Sequence, residues 1–153
     1  MAEGDGVIYN NFKEVVLNGV YNLANGADTL QITLHTGYTP DIDAAHSVWA
    51  DTGVSSTEYG TASGYTAGGK TLGSQATAQD DSNDRASFDG ADVAWTSLGA
   101  LSPATPSDVL MWDDTPTTPQ ADPLICYWEL GATATNGGDY TLQFGANGIL
   151  LLT

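Results

Sequence analysis

The stretch DDSNDRASFDGADVAW, Asp80 to Trp95, sets five carboxylates around Arg85, one of the chain's three basic residues. Carboxylates this dense could bind calcium. An EF-hand loop needs oxygen donors at alternate positions, a Gly at the sixth and a bidentate Glu at the twelfth. A loop begun at Asp80 has Arg85 at the sixth position, and one begun at Asp84 has Asp89 there and Trp95 at the twelfth. Both registers fail, so no metal site is assigned between Asp80 and Asp92. A hairpin accounts for more of these residues: SND and DGA are turn formers, and between them Ala86 and Phe88 would share a strand face opposite Arg85 and Ser87. Arg85 would then moderate the repulsion among Asp81, Asp84 and Asp89.

The remaining candidates for chemistry are few. Histidine catalysis needs a base, an orienting group and a nucleophile within reach. His35 falls on the polar side of an alternating run, and His46 falls in a long connection near Asp43 and Ser47; neither stands in a nucleophile elbow. Asp113 and Asp114 are adjacent in sequence, whereas glycoside hydrolysis needs two carboxylates held apart across a cleft. Gly68, Gly69 and Lys70 lack the spacing and the following helix of a phosphate loop. Trp49, Tyr59, Tyr65, Trp95, Trp112, Tyr127 and Trp128 could stack sugars, which keeps a carbohydrate-binding β-sandwich module as an alternative, although most of them alternate within strands as core residues do. No catalytic residue and no cofactor are assigned, and the protein is expected not to be an enzyme.

Composition narrows the partners. Nineteen acids against three basic residues give a formal charge of −16, which repels phosphate backbones and anionic headgroups, so neither nucleic acid nor a membrane surface is expected as a partner. Cys126 is the only cysteine. It excludes an intrachain disulfide and suits a buried, inert thiol. The N-terminus has no basic start followed by an apolar run, which predicts synthesis in a cytoplasm without a classical export signal.

The elements that must position these residues are mainly β. At 153 residues the chain is expected to form one domain, residues 10–153, behind an N-terminal arm, residues 1–9. NNFKEVVLNGVYNL repeats apolar residues at Phe12, Val16, Val20 and Leu23, predicting one helix of about three to four turns, capped by Asn11 with Glu14 and ended by Asn25-Gly26. DTLQITLHT alternates Leu30, Ile32 and Leu34 with Gln31, Thr33 and His35, a strand with one buried face. A long Gly-, Ser- and Thr-rich connection follows, with a short helical turn expected over Asp43 to Trp49. From Lys70, the runs KTLGSQATA, RASF, DVAWTSL, DVLMWDD, PLICYWEL, DYTLQF and GILLLT are separated by turn residues. Together they predict an antiparallel β-sandwich or barrel-like domain with one N-terminal α-helix. GILLLT does not alternate, so it is expected either to be covered on both faces or to be completed by another subunit.

In this order the segments resemble a family of small virion proteins of tailed bacteriophages. The resemblance spans Tyr9 to Thr153 and is carried by YNNFKEVVLNGVYNL, DTLQITLHTGYTPDID, GYTAGGKTLG, NDRASFDGADVAWTSL, PLICYWELG and NGGDYTLQFGANGILLLT. It implies a non-enzymatic structural protein made in the host cytoplasm and located in the virion. The preferred role is capsid decoration: a cement protein, homo-oligomeric or otherwise in many copies, that binds the major capsid protein or other virion proteins at the capsid surface. A tail, head-to-tail or fibre-like component is the alternative. Its contacts are expected at the apolar end of the arm, Val7, Ile8 and Tyr9, and at Ile149, Leu150 and Leu151, through apolar burial and strand-edge pairing.

Overall fold

The computed structural model describes residues 6–153 apart from 25, 44, 63, 100, 102–104, 116–119, 132–134 and 136. Met1 to Asp5 of the arm, Asn25, and parts of the two Pro-containing loops expected between strands therefore lie outside the described residues.

The order is β1 (Val7–Ile8), α1 (Asn10–Leu17), β2 (Leu30–His35), a 3-10 turn (Ser55–Thr57), β3 (Lys70–Thr71), β4 (Ala76–Asp80), β5 (Arg85–Asp89), β6 (Val93–Trp95), β7 (Asp108–Asp113), β8 (Leu124–Glu129), β9 (Tyr140–Leu142) and β10 (Leu150–Leu152). Each of the β runs read from the sequence overlaps one of these strands, and KTLGSQATA overlaps two, β3 and the start of β4. The pairs are antiparallel throughout. They form a five-stranded sheet in the order β1-β8-β7-β2-β3, a three-stranded sheet β10-β5-β4 and a two-stranded ribbon β6-β9. The fold is sandwich-like and mainly β, with no closed barrel.

The five-stranded sheet holds the core. Register places Leu30, Ile32 and Leu34 opposite Asp113, Met111 and Val109, and Met111 opposite Cys126, so these side chains share one face. All of them are buried, including the free thiol of Cys126. Each large apolar side chain buried there contributes about 1.5–3 kcal/mol relative to exposure. The other face was expected to be polar, yet Thr33 and His35 are fully buried on it. The cause is the long connection, which folds back over this face. Its Tyr38 and Trp49 rings each lie 5.6 Å from the His35 ring, and Trp49 stacks on Trp112 at 4.7 Å. The described residues between Asp43 and Trp49 form turns, a bend and a bridge from Val48 to Pro123, not the expected helical turn, whose residue 44 lies outside the described residues.

Helix α1 is shorter than its periodicity predicted, eight residues in place of three to four turns. Gly19 ends it, at φ +68°. Its N–H bonds Val16 O and that of Val20 bonds Val15 O, a Schellman stop with glycine in the left-handed position. Phe12 and Val15 are the buried residues of the helix. No side-chain cap forms at its start, where Tyr9 is the N-cap. Asn11 lies inside the helix, one residue past its start, and its Nδ2 donates to Gln120 Oε1 at 2.7 Å and to Ser47 O at 3.3 Å, so its side chain serves tertiary contacts in place of a cap.

Candidate functional site

The apolar end of the arm is part of the domain's own sheet. Val7 and Ile8 pair with Tyr127 and Cys126 at the edge of the five-stranded sheet. Tyr9 is fully buried; its N–H bonds Ile125 O and its hydroxyl bonds that of Tyr38. Gly6 leads into this strand flat against Trp128, where an added Cβ would lie 2.6 Å from the indole Nε1. The second expected surface is β10. Leu150, Leu151 and Leu152 pair with Phe88, Ser87 and Ala86 of β5. Ile149 and Leu150 are buried, Leu151 is half-buried and Leu152 is 61% exposed.

The two surfaces meet at a groove. Ile8, Phe12, Val16 and Leu23 form one wall, and Phe88, Leu150, Leu152, Ala86, Ser87 and Thr77 form the other, around a half-open apolar volume of about 110 Å³. The three-stranded sheet that makes the second wall is thin. Ala76, Thr77, Ala78 and Gln79 of β4 are exposed whichever face they occupy, and β4 and β10 are its two edges. Sequence reading did not single out β4. Its run of small residues, Ala-Thr-Ala, has too little apolar area to demand a cover, and that was the available signal. Edge strands with free backbone groups are where another chain can add.

The hairpin read over Asp80 to Trp95 forms around its first turn, SND, whereas Gly90 to Asp92 makes no turn and β6 pairs with β9 rather than β5. Strands β4 and β5 pair from Ala76 opposite Asp89 to Asp80 opposite Arg85, and Asp84 turns the chain at φ +50°. Arg85 pairs with Asp80 at 2.8 Å, not with Asp81, Asp84 or Asp89, and its other contact is Asn147 Oδ1 at 3.2 Å. Both partners are partly exposed, so solvent screens the bridge and it adds little to stability. Bonds from Asn83 and Arg85 hold the Asp80 carboxyl below its ordinary range. Among the described residues no three His, Cys, Asp or Glu side chains form a metal-binding group.

The histidines are packed groups with defined tautomers. His46 Nδ1 accepts the Asp41 N–H at 3.0 Å and its Nε2 lies 3.2 Å from Thr52 O, so the proton is on Nε2. The Tyr38 hydroxyl reaches the same Nδ1 at 3.0 Å, completing a chain Tyr9–Tyr38–His46. His35 sits between Thr33 Oγ1 at 2.9 Å and Thr57 Oγ1 at 3.0 Å. Burial pushes its pKa down to about 3, which makes it a neutral structural ring. Among the described residues, no Ser, Thr or Cys stands beside either ring with an orienting carboxylate, the arrangement that nucleophilic catalysis requires. The aromatic residues weighed for sugar stacking are core groups: Tyr59, Tyr65, Trp95, Trp112, Tyr127 and Trp128 are all buried, and Trp49 is half-buried against Trp112.

Asp113 and Asp114 part company in the fold. Asp114 is exposed, whereas Asp113 is fully buried and accepts the Thr115 N–H at 2.9 Å. Its carboxyl faces that of Asp28, a neighbour 85 positions away in sequence that no local motif announces.

Compared with known proteins, the chain matches no protein-family model, no curated protein and no solved structure.

Proposed function

We propose that this protein is a non-enzymatic structural component of a tailed-phage particle. In this reading it decorates the outer head lattice in many copies and binds the major capsid protein or a neighbouring virion protein. The observation that carries the reading is the apolar groove between α1 and the thin three-stranded sheet, flanked by the edge strand β10 with Leu152 exposed. A partner strand adding to β10 would cover Leu152 and fill the groove, combining backbone pairing with apolar burial. The resemblance of the chain's segments to phage virion proteins supports the same reading.

A charge of −16 sets the terms of attachment. Like charges on adjacent copies repel, but screening limits that repulsion to about 8 Å at physiological salt and about 3 Å at 1 M. Apolar docking therefore survives or strengthens as salt rises. Retention on purified particles across a salt series, up to about 1 M, tests this: progressive release would refute apolar docking and favour contacts between acids and basic lattice residues. Leu152→Asp, at an exposed position, is expected to leave the melting temperature of the free protein unchanged while lowering occupancy on particles.

A further inference from the structure

Among the described residues, three buried side-chain oxygens lack a hydrogen-bond partner: Tyr21 Oη, Gln75 Oε1 and Asp113 Oδ2. A buried oxygen without a donor costs roughly 1–3 kcal/mol, so native structures rarely keep one idle. All three side chains neighbour one residue, Asp28, whose own Oδ2 accepts the Asn22 N–H at 2.5 Å. Gln75 Nε2 donates to the backbone carbonyls of Asp28 and Leu72, each at 3.2 Å. That fixes the amide, since the opposite orientation would set its oxygen against two carbonyl oxygens. Asp113 Oδ2 meets no N–H or O–H donor; its neighbour is the Asp28 carboxyl, an acceptor like itself. The hydroxyl of Tyr21 is close enough to feel both carboxylates.

We propose that Asp28 and Asp113, together with Gln75 Oε1 and Tyr21 Oη, form a binding site for a calcium ion. The donors are all oxygen, two ionisable and two neutral, the mixture that hard cations take, and calcium tolerates the irregular geometry and added waters that such a set leaves. A divalent charge neutralises the two facing carboxylates and supplies the partner that each idle oxygen lacks. A proton shared between Asp28 and Asp113 would satisfy one oxygen and leave Gln75 and Tyr21 idle. Without a cation, burial first and then the Asp28 charge hold the Asp113 acid well above the ordinary carboxylate range. The ion would tie the Tyr21–Asp28 segment after α1 to the end of β7 and to the residue preceding β4. Leu23 in that segment and Thr77 in β4 both line the groove, so the site would lie beside the groove. The inference stands independently of the virion reading.

The test is thermal unfolding of the whole chain at pH 8 in EDTA and in excess calcium, with terbium luminescence excited through the aromatic rings as a direct binding signal. Calcium at about 100 times its Kd should raise the midpoint by about 5–10 °C. Asp113→Asn, which keeps an oxygen for the Thr115 N–H, should abolish the rise, and Tyr21→Phe should weaken terbium binding if Asp113→Asn fails to fold. No rise in the unsubstituted protein would overturn the proposal. So would a rise that Asp113→Asn retains, which would place the ion elsewhere.

Discussion

His35 gives the sharpest quantitative expectation, because it is completely buried and its proton is accounted for. The Thr57 hydroxyl donates to Val54 O at 2.8 Å, so it accepts from His35 Nδ1–H, and Thr33 Oγ1 donates to Nε2. A second proton on the ring would place a charge in this buried site. Its pKa is accordingly pushed down to about 3 from 6.5, with burial the cause. Between those two values the unfolded chain binds a proton that the folded chain does not. Stability is therefore highest above pH 6.5 and falls as the pH is lowered toward 3, by about 1.4 kcal/mol per unit. From pH 6.5 to pH 4 the loss amounts to about 3 kcal/mol, a large share of a typical domain's 5–15 kcal/mol.

Other groups titrate in the same range. Asp113 and Asp108, with pKa values raised chiefly by burial, act with the opposite sign, so the measurement must be a difference. His35→Phe removes the titration and leaves no hydroxyl stranded, because Thr33 can turn to Leu110 O and Thr57 keeps Val54 O. Urea unfolding of both proteins, followed by tryptophan fluorescence in EDTA from pH 4 to pH 7.5, isolates the histidine. The advantage of the unsubstituted protein over His35→Phe should shrink by about 3 kcal/mol between pH 6.5 and pH 4. An advantage that stays constant across that interval would mean that the ring is protonated inside the fold, and the argument from burial would be wrong.

Two glycines should separate backbone strain from steric exclusion. Gly19→Ala meets nothing within 4 Å and should cost only the left-handed conformation, about 1 kcal/mol by denaturant unfolding. Gly69→Ala would set a Cβ 2.1 Å from Ile32 O at φ +76° and should cost several times as much, enough to lower soluble yield. At the β4–β5 hairpin, Asp80→Asn should leave any calcium response unchanged and barely move the denaturant midpoint, since its pair with Arg85 is partly exposed and screened. Replacing Asp113, Asp114 or His46 should reveal no glycan or ester hydrolysis to be lost; turnover that disappears while the fold persists would contradict the reading of these residues as structural.

Several features were decided locally and could be read from the chain. The alternation of Leu30, Ile32 and Leu34 specifies a strand whichever partners it finds, because side chains on a strand point to opposite faces in turn. Asp, Asn and Gly between the later apolar runs dictate turns through their own backbone preferences, which is why the β4–β5 hairpin was legible. Gly19 was legible too, but the apolar spacing beyond it carried the reading past a stop that the left-handed residue imposes. What lies on the second face of β2 was not local. Thr33 and His35 look like solvent-facing residues until Tyr38 and Trp49, carried over by a long connection, cover them. The pairing of Asp28 with Asp113 follows from the β2–β7 register, which sets Leu30 opposite Asp113. That register is a tertiary outcome: it depends on which strands share a sheet, and residues this far apart in sequence meet only after the sheet has formed.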